Sequence, residues 1–269
     1  MDSGLKERNP GTGDFMKGLW FAAILIFTAL LLFLSMVPEN PLYNINWALL
    51  SALVVGLSIL AFFWRFDHAG ATSKEIALIA TLASLAAVSR IPFAAIMSVQ
   101  PTTFIVMITG YVFGTRTGFM VGAIAALVSN FFLGQGPWTP WQMFCWGLCG
   151  VSAGFLGRKK EEFKLLPFLL LCGIWGYLFG WIMNLWHWLG FVFPLTFKTF
   201  IVTYITSFPF DTLHAVGNVV FSLLLGKSFY QVLIRFRKKF FVQYMRLVCD
   251  NEAYLSLLPL PLRINIRIF

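Results

Sequence analysis

The chain has 269 residues, of which 59% are hydrophobic and 12% charged, with a formal net charge of +9. Soluble domains carry about a quarter of their residues as charges, so this composition excludes one, and the short alternating strands of a membrane barrel are absent. A nucleic-acid surface is excluded by where the charge sits: 18 of the 20 Lys and Arg fall in segments predicted on one side of a membrane, with Lys198 on the other side and Arg90 inside a span.

The N-terminus carries a charged lead that ends at Lys17, followed by an apolar run to Val37. A cleaved signal has a shorter apolar core and a small-x-small site. Met36-Val37-Pro38-Glu39 stands there instead, which reads as a retained helix. Apolar runs near the length that spans hydrocarbon recur along the chain. They predict spans over 18–37, 45–64, 76–98, 102–113, 118–133, 141–156, 165–191 and 197–225. The run over 102–113 is short for a full crossing, which predicts a helix that is tilted, broken or shielded by its neighbours. The predicted organisation is a cytoplasmic lead and two helices over 1–64, a polar linker over 65–75, a six-helix core over 76–228 and a basic cytoplasmic tail over 229–269.

The connecting segments alternate in charge. Segments 1–17, 65–75, 114–117, 157–164 and 226–246 hold Lys and Arg, whereas 38–44, 99–101, 134–140 and 192–196 hold none. Both ends are therefore expected in the cytoplasm of a multi-pass protein. Glycines 110, 114, 118 and 122 recur every fourth residue across a tight turn, which predicts close packing of two helices. Cys145 and Cys149 share a helix face, but no His or acidic residue completes a metal set beside them; they read as small packing residues.

Ionisable groups inside hydrocarbon are costly, and this chain has few: Arg90, Asp211, His187 and His214. Asp211, His214 and Asn218 stand at i, i+3 and i+7 on one face of the last span, after a Pro209 expected to kink it. An Arg90–Asp211 ion pair would satisfy both charges.

The segment Gly134-Gln135-Gly136-Pro137-Trp138-Thr139-Pro140-Trp141-Gln142 is uncharged, aromatic and too rich in Gly and Pro to continue a helix. Asn130 and Gln142 flank it, Gln100, Thr102 and Thr103 lie on the same predicted outer side, and Asn184, Trp186, His187 and Trp188 approach from the seventh span. Trp138, Trp141 and Trp146 add flat faces. An interfacial aromatic belt explains any one Trp. Amides and hydroxyls beside them fit a small-molecule site, an apolar wall with a few placed polar groups.

Several of these segments resemble the substrate-binding S components of energy-coupling factor (ECF) transporters. They are Arg90-Ile91-Pro92, Gln100-Pro101-Thr102-Thr103, Gly118-Phe119-Met120-Val121-Gly122-Ala123, the run from Ser129 through Met143, and Asp211-Thr212-Leu213-His214-Ala215-Val216-Gly217-Asn218. The resemblance covers roughly 76–228 and implies an all-α integral membrane protein, here a six-helix core preceded by two extra helices. It implies binding of a vitamin or related micronutrient at the outer face of a bacterial plasma membrane. It also implies partnership with a transmembrane coupling subunit and two ABC-type ATPases, without enzymatic activity or a cofactor. The substrate-binding set it suggests is Arg90, Gln100, Thr102, Asn130, Gln135, Trp138, Trp141, Gln142, Trp146, Asn184, His187, Asp211, His214 and Asn218. Ala83 and Ala87 match the family's small-residue spacing for docking on the coupling subunit. The long loop motif most resembles members assigned to cobalamin, and a flat vitamin such as riboflavin would suit the same aromatic mouth.

Two other functions compete. A secondary carrier or channel predicts an ionisable relay and often an internal repeat, and only one acidic residue lies inside a predicted span. An intramembrane enzyme could use His214 and Ser207 as base and nucleophile, but no H-E-x-x-H motif is present. The sequence also has no G-x-x-x-x-G-K-[ST] phosphate loop, so ATP-driven transport needs a separate ATPase.

Overall fold

A computed structural model describes residues 47–68, 72–158 and 162–256, which form seven α-helices and one 3-10 turn without strands. The predicted first span, 18–37, and residues 257–269 lie outside the described residues. The helices are α1 (Trp47–His68), α2 (Ser73–Arg90), α3 (Thr102–Phe113), α4 (Thr115–Leu133), α5 (Thr139–Gly157), α6 (Leu165–Phe191) and α7 (Phe197–Ser256). Among the described residues, four segments are long and apolar enough to cross a membrane: Ser73–Phe93, Thr115–Leu133, Leu165–Phe191 and Phe197–Lys239. Ala52–Trp64 and Thr102–Phe113 are shorter apolar helices. The described residues form an all-helical body of a multi-pass membrane protein.

α2 starts at a side-chain cap, where the Thr72 hydroxyl accepts from the Glu75 amide at 3.2 Å. It stops at Arg90, earlier than the predicted end at 98, because Pro92 cannot donate into the ladder and the backbone tightens into the 3-10 turn Ile91–Phe93. α3 is only 12 residues long, about 18 Å at 1.5 Å per residue. Every residue of it except Phe113 is buried, so the other helices shield it from lipid. This is the shielded alternative that its length allowed.

α3 and α4 join at Gly114, whose φ of 96° needs a residue without a Cβ. On either side of that turn, Gly110 and Gly118 press onto Gly150 of α5, and Gly122 presses onto Trp146. A Cβ at any of the three would overlap backbone. The four-residue glycine spacing thus sets two helices against a third.

α6 and α7 form a hairpin in which Gly176 abuts Ala215 and Gly180 abuts the Asp211 carboxylate. α7 is unbroken through Pro209 and continues past the predicted end at 225, to 60 residues in all. Its extension belongs to the body. Phe229 meets Phe104 edge-on with ring centroids 5.4 Å apart, and Arg237 Nη1 donates to the Val112 carbonyl at 2.7 Å. α1 packs on α4, α5 and α6, with Phe62 stacked on Phe119 at 3.8 Å.

Candidate ligand-binding site

Arg90 is the hub of one end of the bundle. Its Nη1 donates to Ser129 Oγ at 2.8 Å and Asn130 Oδ1 at 2.7 Å, both on α4. Its Nε donates to Gln100 Oε1 at 2.8 Å. Gln100 reaches it from a segment in which Ser98 takes a left-handed backbone, φ 61°, a cost a non-glycine residue bears only where the surroundings fix it. The guanidinium carbon lies 4.9 Å from the centre of the Trp146 ring, a cation–π distance, and the residue is only 9% exposed.

The expected Arg90–Asp211 ion pair does not form. Arg90 is held by α4 and Gln100, while α7 turns Asp211 onto α6 against Gly180, where Ser207 Oγ donates to Asp211 Oδ2 at 3.1 Å. Asn184 Nδ2 donates to the same Ser207 hydroxyl. This second polar group borders a cavity of about 710 Å3 between α6 and α7, lined by Asn184, His187, Lys198, Thr203, Thr206 and Ser207 among others. Ligand pockets commonly enclose about 300–1,000 Å3.

The stiff loop is held from beneath by Asn130. The Asn130 amide donates to Thr139 Oγ1 at 3.0 Å and to Gln142 Oε1 at 2.8 Å. Thr139 Oγ1 in turn donates to Gln135 Oε1 at 2.8 Å, and Gln135 Nε2 returns to the Leu127 carbonyl at 3.0 Å. Trp138 lies on Gly136 and meets Trp186 of α6 edge-on at 6.3 Å. Pro140 sits in the first turn of α5, where a missing N–H is harmless.

A further set of contacts reaches from the Arg90 group to α7 and α6. Trp146 Nε1 donates to Thr103 Oγ1 at 3.0 Å, and Thr103 Oγ1 lies 2.9 Å from His214 Nε2. Phe179 covers both, 5.0 Å from the Trp146 ring and 5.2 Å from His214. Hydrogen bonds and ring contacts thus run from α2 across α4, α5 and α3 to α7 and α6.

The remaining expected residues divide. Thr102 is fully buried and donates to the Ala86 carbonyl, so Thr103 carries the link instead. Trp141 is buried, and its indole N–H has no partner among the described residues. His187 stacks on Phe191 at 5.8 Å at the cavity's edge. Asn218 lies one turn deeper than His214 and donates to the Cys172 carbonyl at 3.2 Å. Ala83 and Ala87 are 0% and 1% exposed, so the expected docking row is packed inside the protein. The exposed face of α2 carries Ala77, Ala80, Thr81 and Ser84.

Ser129, Thr139, Phe179 and Ser207 join the site without having been picked out for it. Ser129 and Thr139 lay inside quoted motifs, where adjacency to Asn130 was a signal. Phe179 had none, being one Phe among 30.

A family model described as ECF-type riboflavin transporter, S component, matches residues 70–233. No curated protein and no solved structure matches the chain. The matched residues include the Arg90 network and the α6–α7 cavity; α1 lies before them. Cobalamin, the cargo suggested by the loop motif, finds no support in this match, and the family's description names riboflavin.

Proposed function

We infer the function of this chain from its family, the S components of ECF-type riboflavin transporters, to which it belongs. The family makes it a membrane-embedded substrate-binding subunit for vitamin uptake that works with an ECF module. The cargo proposed here is riboflavin, bound at the end of the helix bundle bearing Arg90, Trp138 and Asp211. That end faces outward in a bacterial plasma membrane, with both termini in the cytoplasm.

One observation carries the reading most directly. A buried guanidinium, laid over an indole and held by three neutral acceptors, keeps donors beside an aromatic surface. A flat heterocycle with carbonyl edges suits such a set. Asn130, Gln142, Thr103 and His214 extend it, Asn184, His187 and Ser207 line the cavity between α6 and α7, and Asp211 accepts from Ser207. Gln100, Gln135 and Trp141 hold the wall in shape, and Asn218 supports α7 from below.

The chain binds and does not catalyse. Energy comes from a coupling subunit and two ATPases, since the sequence lacks a phosphate loop. Docking uses the exposed row Ala77, Ala80, Thr81 and Ser84 on α2, where small side chains let a partner helix approach closely.

The test is to purify the full chain without partners, identify any flavin that co-purifies by mass spectrometry, and titrate riboflavin by quenching of flavin fluorescence. Saturable binding that cobalamin does not displace is expected. A protein that ignores riboflavin, or exchanges it for cobalamin, rules the proposal out.

A further inference from the structure

We propose that a cavity at the end of the bundle opposite Arg90 holds the phosphate of an anionic phospholipid, with Arg158 and Arg237 as its cationic contacts. The site is remote from the cargo and does not depend on which vitamin is bound. Part of it lies beyond the family match, which stops at residue 233 while Arg237 follows it.

The cavity encloses about 810 Å3 between the α3–α4 turn at Gly114, the end of α5 and Arg237 of α7. Glycines shape it. A Cβ at Gly154 or Gly157 would overlap the backbone of Thr115 or Tyr111, so α5 closes tightly on the turn. A Cβ at Gly114 would meet no atom within 4 Å, so the space in front of the turn is open. Tyr111 forms a fixed wall. Its hydroxyl donates to the Glu162 carbonyl at 3.2 Å and accepts from the Lys164 amide at 3.1 Å.

The charge on this cavity has one sign. Arg158 and Arg237 both line it, and no acidic side chain does. Clefts lined by one sign of charge concentrate ions of the other. Helix capping accounts for only part of the pair. Arg237 Nη1 donates to the Val112 carbonyl at 2.7 Å, which serves the end of α3 and leaves other donors of that guanidinium for an anion. The Arg158 side chain makes no hydrogen bond or ion pair among the described residues. α4 starts without a side-chain cap, and Thr115 of its first turn lines the cavity, which adds backbone donors.

The flank of the cavity selects a lipid over a free phosphate. Phe155 lines it and is 61% exposed. On a membrane protein such a ring meets acyl chains. An amphiphile answers both features, with its phosphate at the arginines and a tail along Phe155. Basic pockets between membrane helices on the cytoplasmic side suit anionic head groups, and the charge of the connecting segments predicts this end on that side.

The test is native mass spectrometry of the full chain in detergent, with dioleoylphosphatidylglycerol, dioleoylphosphatidylcholine and inorganic phosphate as probes. Phosphatidylglycerol is expected to bind more tightly than phosphatidylcholine and to resist displacement by inorganic phosphate. Arg158→Gln is expected to weaken phosphatidylglycerol about fivefold, the effect of one cation near an anionic lipid, and to leave the melting temperature unchanged. Arg237→Gln is expected to weaken it at least as much; if that variant fails to fold, Arg158→Gln carries the comparison. Arg235→Gln, at an exposed position outside the cavity, is expected to bind like the wild type. Equal binding of the two lipids overturns the proposal. Equal losses in Arg158→Gln and Arg235→Gln overturn it as well, because diffuse surface charge then explains the binding. Displacement of phosphatidylglycerol by inorganic phosphate assigns the pocket to free phosphate and overturns the lipid.

Discussion

Asn130 uses both ends of its amide, accepting from Arg90 and donating to Thr139 and Gln142. Asn130→Leu fills similar space but leaves buried groups unsatisfied, at a cost of about 1–3 kcal/mol each. The expected result is a lower melting temperature in detergent together with lost riboflavin binding; unchanged melting would mean that the network does not hold the loop. Trp138 is only half-buried and touches Gly136 and Trp186. Trp138→Ala is therefore expected to weaken flavin binding several-fold, in line with an aromatic contact of about 0.5–1.5 kcal/mol, with a much smaller effect on melting. Parallel loss of binding and stability would remove Trp138 from the wall.

Between helices, the close approach of α4 to α5 and of α6 to α7 depends on positions with no side chain. Gly118→Val places a branched side chain on the Gly150 backbone, and Gly176→Leu drives α6 off Ala215. Overpacking of this kind costs about 1–3 kcal/mol or more, because a backbone cannot move aside as a flexible side chain can. Both variants are expected to lower the yield of folded protein in size-exclusion chromatography; wild-type profiles would contradict the packing described. α2 offers a sharper contrast. Trp at buried Ala83 or Ala87 is expected to break the fold. Ala80→Trp with Ser84→Trp, on the exposed face, is expected to leave flavin binding intact and abolish uptake in cells. Normal uptake by that double variant would place docking elsewhere.

At the scale of the whole molecule, the proposed function makes this chain a receptor driven by a separate motor. Vesicles containing only this chain are expected to bind riboflavin without accumulating it, whether or not a proton or sodium gradient is applied. Accumulation driven by either gradient would identify a secondary carrier and displace the ECF assignment of its energy source. α7 also links the two ends of the molecule. It carries Asp211 and His214 at the site and Arg237 at the carbonyl end of α3, within one continuous helix.

Several features could be read directly along the chain because they are local. The bounds of α3 and α6 follow from where apolar runs meet Pro, Gly and polar residues. The inward face of α7 follows from the spacing of Asp211, His214 and Asn218, all of which are buried. The glycine row reflects the absence of side chains, which any neighbouring helix would exploit. Other features needed the assembled structure. Apolar side chains pack as well on lipid as on protein, so nothing along α2 distinguished the buried Ala83 and Ala87 from the exposed Ala80 and Ser84. α7 was expected to end where charge begins, yet backbone hydrogen bonding does not stop at a membrane surface, and the helix continues to Ser256. Two opposite charges in one membrane domain invite pairing. Which neighbours Arg90 and Asp211 actually meet depends on helices distant in sequence, so only tertiary packing could send one to Asn130 and the other to Ser207.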